Sequence, residues 1–104
     1  MKACVVAWMK EQMPDSSEEI LQTIYSEYKT TATNLLQKWK SALANHEDEK
    51  ALDVIVHTLK GNAAMIGDAE ISQLAQSWRE ARKANEQQKC DEILQKLEGL
   101  IGLL

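Results

Sequence analysis

One proline and four glycines in 104 residues leave little material for turns. No stretch is rich in proline, glycine or serine either, which excludes linkers, low-complexity segments and a loop-rich β architecture. An all-α chain is expected. Cysteine is scarce too: Cys4 and Cys90 are the two present, far below the density of a disulfide-stapled secreted domain. They are expected to be reduced thiols, and a cytoplasmic location is expected with them. Long apolar runs are missing, and nothing approaches the roughly 18 consecutive apolar residues of a membrane span. Positive charge is in deficit, with 12 Lys and Arg against 16 Asp and Glu and a formal net charge of −4. That argues against a nucleic-acid binder, which would carry a basic stripe. Metal patterns fail as well. His46-Glu47 opens a His-Glu-x-x-His motif, but Lys50 stands where the second histidine belongs, and no Glu-x-x-His pair marks a carboxylate-bridged bundle. No glycine-rich loop that would cradle a nucleotide phosphate is present, so autonomous kinase activity and a bound cofactor are not expected.

What remains is amphipathic helix, in a length that suits a single domain over residues 1–104. Val5, Val6, Trp8, Met9 and Met13 predict a short helix over about residues 3–12, closed by Pro14. It reads as a helix across one bundle end, because the apolar run meets Lys10-Glu11 with no cleavage pattern of a secretory signal. Ser16 with Glu19 has the spacing of a capping box. From there apolar residues recur every three or four positions through Leu21, Tyr25, Tyr28, Ala32, Leu36 and Trp39 to Leu43, predicting a helix over about 16–44, some 42 Å long. Further helices are expected over about 48–66, 69–84 and 86–103, with Gly67 and Asp68 as the tight turn between the first two and Asn85 capping the last. Short connections imply an antiparallel up-down-up-down four-helix bundle with the short N-terminal helix as its cap.

The stretch His57-Thr58-Leu59-Lys60-Gly61-Asn62-Ala63-Ala64-Met65-Ile66-Gly67 is arranged differently from the rest. At roughly 100° per residue, Leu52, Ile55, Leu59, Ala63 and Ile66 point to the core, whereas His57 lies opposite with Asp53, Val54, Lys60, Gly61 and Ala64 within about 60° of it. Met65 lies slightly farther round. An exposed imidazole is thus flanked by a lysine and a residue with no side chain. Glycine inside a helix costs roughly 1 kcal/mol against alanine, so its presence one turn from the ring points to a need for access. Reflection about the tight turn brings Trp78 and Arg79 level with His57, with Gln76 and Lys83 a turn to either side.

This motif resembles the signature of histidine-containing phosphotransfer (HPt) domains, and the helix lengths fit that family over most of residues 16–103. Asn62 departs from the serine or alanine more common there, at a position that bears on packing. The resemblance implies that His57 accepts a phosphoryl group from a receiver-domain aspartate through its distal nitrogen and passes it to another receiver. Response-regulator receiver domains and a hybrid sensor histidine kinase are the implied partners, and the magnesium ion belongs to the receiver. Lys60 would steady the phosphoryl oxygens, Gly61 would give access, and Arg79 would reach the ring. Asp53, Val54, Ala64, Met65, Gln76 and Lys83 would line the docking face, although for Val54 and Met65 the edge of the core is an equal reading. A monomer is the simplest expectation. The alternatives are a non-catalytic helical interaction module and the substrate domain of a chemotaxis-type kinase.

Overall fold

The computed structural model describes residues 1–104 and consists of five helices: α1 (Ala3–Gln12), α2 (Glu18–Ala44), α3 (Glu49–Met65), α4 (Ala69–Lys83) and α5 (Gln87–Gly102). α3 packs against α2 and α4, and α5 against α4 and α2, which closes a ring of four antiparallel helices; α1 lies on α2. At 27 residues α2 runs about 40 Å, most of the 46 Å long axis of the molecule.

Three of the helices end the same way. After α2, α3 and α4, the residue past the last turn takes a left-handed backbone: His46 at φ 51°, Gly67 at φ 79° and Asn85 at φ 58°. In each case the next N–H reaches five residues back, Glu47 to Ala42 at 3.0 Å, Asp68 to Ala63 at 2.8 Å and Glu86 to Ala81 at 2.9 Å. These are Schellman closures. Because His46 and Asn85 tolerate the conformation, the motif alone does not require Gly67. The side chain of Trp8 does: a Cβ on Gly67 would stand 2.4 Å from the Cβ of Trp8. α1 is thereby seated against the α3–α4 turn.

Two caps differ from the sequence expectation. Ser17, not Ser16, caps α2 by accepting from the Ile20 N–H. Ser16 is occupied in the turn around Pro14, where its N–H donates to the Met13 carbonyl at 3.1 Å. Asn85, spent on closing α4, leaves Glu86 as the N-cap of α5 with no side-chain cap bond. The α3–α4 turn follows the sequence, with Asp68 accepting from the Ile71 N–H.

Asp68 does more than cap. It is fully buried, and its carboxylate accepts from the Tyr28 hydroxyl at 2.7 Å and from the Lys2 ammonium at 2.8 Å. Lys2 also pairs with Glu70, and its backbone N–H donates to the Tyr25 hydroxyl. One carboxylate therefore ties α2, the α3–α4 turn and the residue that starts α1. Burial, followed by the bond to Asp68, raises the Tyr28 phenol far above its usual range. Burial is the largest single effect on Lys2 and opposes its charge, but the bonds to Asp68 and Glu70 and the charges of both carboxylates together outweigh it and raise the ammonium.

The core stripe of α3 is rotated from the sequence reading. Leu52, Val56, Leu59 and Ala63 are its buried residues, while Ile55 packs only in part against the core. Val56 is fully enclosed because α3 is gripped from two sides, by α2 and by α4, so that its buried arc turns toward α4. In α5 the thiol of Cys90 joins the core, where burial pushes it up; Cys4 is exposed, and both are free.

Two consequences can be measured. Gly67→Ala should lose about 2–3 kcal/mol, from the left-handed backbone and from displacement of Trp8, whereas His46→Gly should gain about 1 kcal/mol by relieving the same conformation; urea melts of the pair must show opposite signs. The alkaline limb is the second. Tyr28 and Lys2 hold their protons more tightly folded than unfolded, so their contribution is complete below about pH 10, the unfolded range. It is lost as pH rises beyond that. A melting temperature flat from neutrality to about pH 8.5 is expected, falling slightly beyond that as unfolded Cys90 ionises and more steeply above about pH 10, with a shallower fall in the steep range and about 2 kcal/mol less stability at pH 7 in Tyr28→Phe.

Candidate functional site

His57 sits in the middle of α3, and its side chain is exposed. The local reason is the rotated stripe: with Val56 and Leu59 turned inward, the two residues between them, His57 and Thr58, face out. Glycine at 61, one turn on, leaves open space where a Cβ would be, with no atom within 4 Å. Access to the ring is therefore unobstructed along the helix. On the rim Val54 is 59% exposed and Met65 74%, so neither is an edge of the core, and Ala64 is exposed beside them. Three apolar side chains thus face solvent around the imidazole.

The charged residues are brought together by the register of α3 against α4. Arg79 reaches across from α4 and forms a two-pronged bond with Asp53, Nε to Oδ1 at 2.8 Å and Nη2 to Oδ2 at 3.2 Å. Its remaining terminal nitrogen, Nη1, stands 3.3 Å from Nδ1 of His57. Asp53 and His57 are four residues apart, one above the other on the same helix face, so one planar guanidinium can serve both. The Arg79 side chain is only 19% exposed. Both residues were candidates from the sequence, but in separate roles; their pairing was not foreseen. The signal was available in the i, i+4 spacing of Asp53 and His57 and in the reflection that puts Arg79 level with them.

Lys60 is placed differently from the expectation that its ammonium stands beside the ring. Its Nζ donates to Oε1 of Gln76 at 2.8 Å, and the amide of Gln76 in turn donates to Glu80. The Cβ of Lys60 projects toward α4, where the Gln76 carbonyl is in reach and the position beside Nδ1 is already held by Arg79. The cation next to the imidazole is thus an arginine from the neighbouring helix.

Farther along the same seam Arg82 binds Glu49 through both Nε and Nη2 and lies over the Trp78 ring, 5.6 Å from its centroid. That bond lowers the Glu49 carboxyl below its usual range. Trp78 meets Trp39 edge to face at 4.8 Å, a rigid floor beneath the α3–α4 seam. The groove above it is lined by Lys50, Asp53, Arg79 and Lys83, and Lys83 is exposed there. Arg82 and Glu49 were not among the sequence candidates, since nothing in the spacing along either helix alone pairs residues 33 positions apart.

The site combines an exposed histidine, a bare position one turn on, and a cation fixed at one ring nitrogen. The helical bundle around it agrees with what comparison with known proteins gives. The curated proteins and the solved structures yield no match, but the family model for the Hpt domain matches residues 9–104 of the 104-residue chain. That span includes all four bundle helices and the histidine motif. The chain belongs to the Hpt domain family, the phosphocarrier modules of two-component signalling.

Proposed function

We propose that His57 is the phosphoacceptor of this module. It takes a phosphoryl group from an aspartyl phosphate on a receiver domain and delivers it to the aspartate of a second receiver. The observation that carries the reading is an exposed histidine in mid-helix with empty space at Gly61 beside it. Nε2, the ring nitrogen that Arg79 does not contact, meets phosphorus once the ring proton lies on Nδ1. Its lone pair attacks as the P–O bond of the aspartyl phosphate breaks and the carboxylate leaves. Phosphoryl transfer of this kind depends on alignment and on stabilising charge over the equatorial oxygens, so the donor domain brings the acyl phosphate and its magnesium ion. This chain brings the acceptor and the dock.

Lys60 supplies the mobile charge. Its tether to Gln76 is a single hydrogen bond to a neutral amide oxygen, weaker than a bond to a dianionic phosphoryl group, so the ammonium exchanges one for the other on loading. Val54, Ala64 and Met65 form the apolar contact for the receiver, with Asp53, Gln76 and Lys83 at its polar edge. The donor receiver belongs to a hybrid sensor kinase, and the chain acts as a cytoplasmic monomer that carries phosphate without making it from a nucleotide.

His57→Gln is expected to abolish acid-labile, base-stable phosphate on incubation with a phosphorylated receiver while helicity stays unchanged; a variant that still takes up phosphate refutes the assignment. At Gly61 two substitutions separate folding from access. Gly61→Ala should stabilise the helix by up to about 1 kcal/mol, since its Cβ meets open space. Gly61→Trp should slow transfer by about tenfold or more at unchanged stability, because small misplacements of reacting groups are that costly; an unaltered rate in stopped-flow transfer would remove the access argument.

A further inference from the structure

The contact between Arg79 and His57 is polar in one direction only. A guanidinium has five N–H donors and no acceptor, so Nη1 at 3.3 Å from Nδ1 calls for a lone pair on Nδ1. In the neutral ring the proton then sits on Nε2. Arg79 does not turn away freely, because Nε and Nη2 bind both carboxylate oxygens of Asp53. Asp53 and His57 share one face of α3, so the guanidinium is held between two fixed points of a single helix.

Opposed demands meet at Nδ1. For Nε2 to attack phosphorus it must carry the lone pair, which in a neutral imidazole puts the proton on Nδ1 and sets N–H against N–H. After the N–P bond has formed and Nδ1 has released its proton to solvent, the neutral phosphoimidazole again offers a lone pair at Nδ1, the group to which Arg79 donates. Loss of phosphate to water runs the other way. A proton returns to Nδ1, the water oxygen bonds to phosphorus, and the electron pair of the N–P bond goes back to Nε2. Inorganic phosphate and a neutral imidazole protonated on Nδ1 are the products. Without that proton the leaving group would be an imidazolate, and cleavage would be slow.

Resting on the assignment of His57 as phosphoacceptor, we propose that Arg79, anchored by Asp53, is a positioning residue that keeps Nδ1 free of a proton and so prolongs the life of the phosphohistidine. Asp53 acts through Arg79, by aiming it. The remaining charged groups of the neighbouring elements are engaged elsewhere or face away from the ring. Before loading Lys60 is on Gln76 with Glu80 behind it, and once moved to the phosphoryl oxygens at Nε2 it is common to the parent chain and the Arg79 variants; Arg82 is on Glu49. Lys50 and Lys83 line the groove beyond Asp53, and on the α2 side Lys38 and Glu47 line a groove beside Ile55.

The test loads the whole chain with phosphoramidate, which needs no receiver, and follows decay of the phosphorylated protein by mass spectrometry across pH. At pH 7, Arg79→Gln, whose amide oxygen accepts from a protonated Nδ1, should lose phosphate about tenfold faster than the parent chain, the scale of one charge-assisted hydrogen bond. Asp53→Asn should fall between them, and Arg79→Lys should recover part of the lifetime. The difference should vanish above about pH 10, where no proton reaches Nδ1 in either protein. Ring 15N shifts of the unphosphorylated chain should show Nδ1 unprotonated in the parent and more protonated in Arg79→Gln. Equal lifetimes and equal pH profiles in the parent, Arg79→Gln and Asp53→Asn overturn this inference alone. A parent chain that takes up no phosphate overturns the assignment of His57, and this inference with it.

Discussion

The buried carboxylate of Asp68 fixes the register of α3 against α4. It sits at the turn between them, begins α4 as its N-cap, and is held by Tyr28 from α2 and by Lys2 ahead of α1. A charge taken out of water is costly unless its oxygens are satisfied, and here both are. A shift of α4 along α3 by one residue would rotate its side chains by about 100° and would pull Asp68 from these partners. Because the turn is pinned, Arg79 arrives level with His57, each eleven residues from Asp68 along its helix, and its three nitrogens meet Asp53 and the ring together.

At the far side of that register the site is built on rigid material. Trp78 precedes Arg79, packs edge to face on Trp39 and carries the Arg82 guanidinium on its ring. Exposed ion pairs contribute little to stability on their own. The Asp53–Arg79 pair, two-pronged and largely shielded on the arginine side, is better understood as a device for orientation. Lys60 lies at the opposite extreme, on a neutral partner it can leave. The site thus holds one cation bound to a carboxylate and one bound to a neutral amide.

Much of the fold was legible residue by residue. The spacing of apolar positions located every helix, Gly67 and Asp68 located the turn that matters, and the exposure of His57 followed from the phase of its helix. Where sequence and structure differ, two residues compete for one task or one residue has two. Ser16 and Ser17 are equally good caps by chemistry, and the turn at Pro14 decided between them. Asn85 is a fair N-cap and a fair left-handed residue, and closing α4 took precedence. Val56 lies about 100° from His57 on the wheel, outside a stripe drawn symmetrically, and became core because α3 has two neighbours rather than one.

The sequence by itself determined the helices, their order, the bare outward face at His57 and Gly61, and the family to which such a motif belongs, because each of these depends on residues within a few turns of one another. The tertiary structure alone decided which cation touches the imidazole. Lys60 is nearer along the chain, but its stem leans toward α4 and finds Gln76, while Arg79 is brought from 22 residues away to 3.3 Å from Nδ1. Long side chains choose partners by where neighbouring helices place hydrogen-bonding atoms, and that placement is a property of the packed register rather than of any one segment.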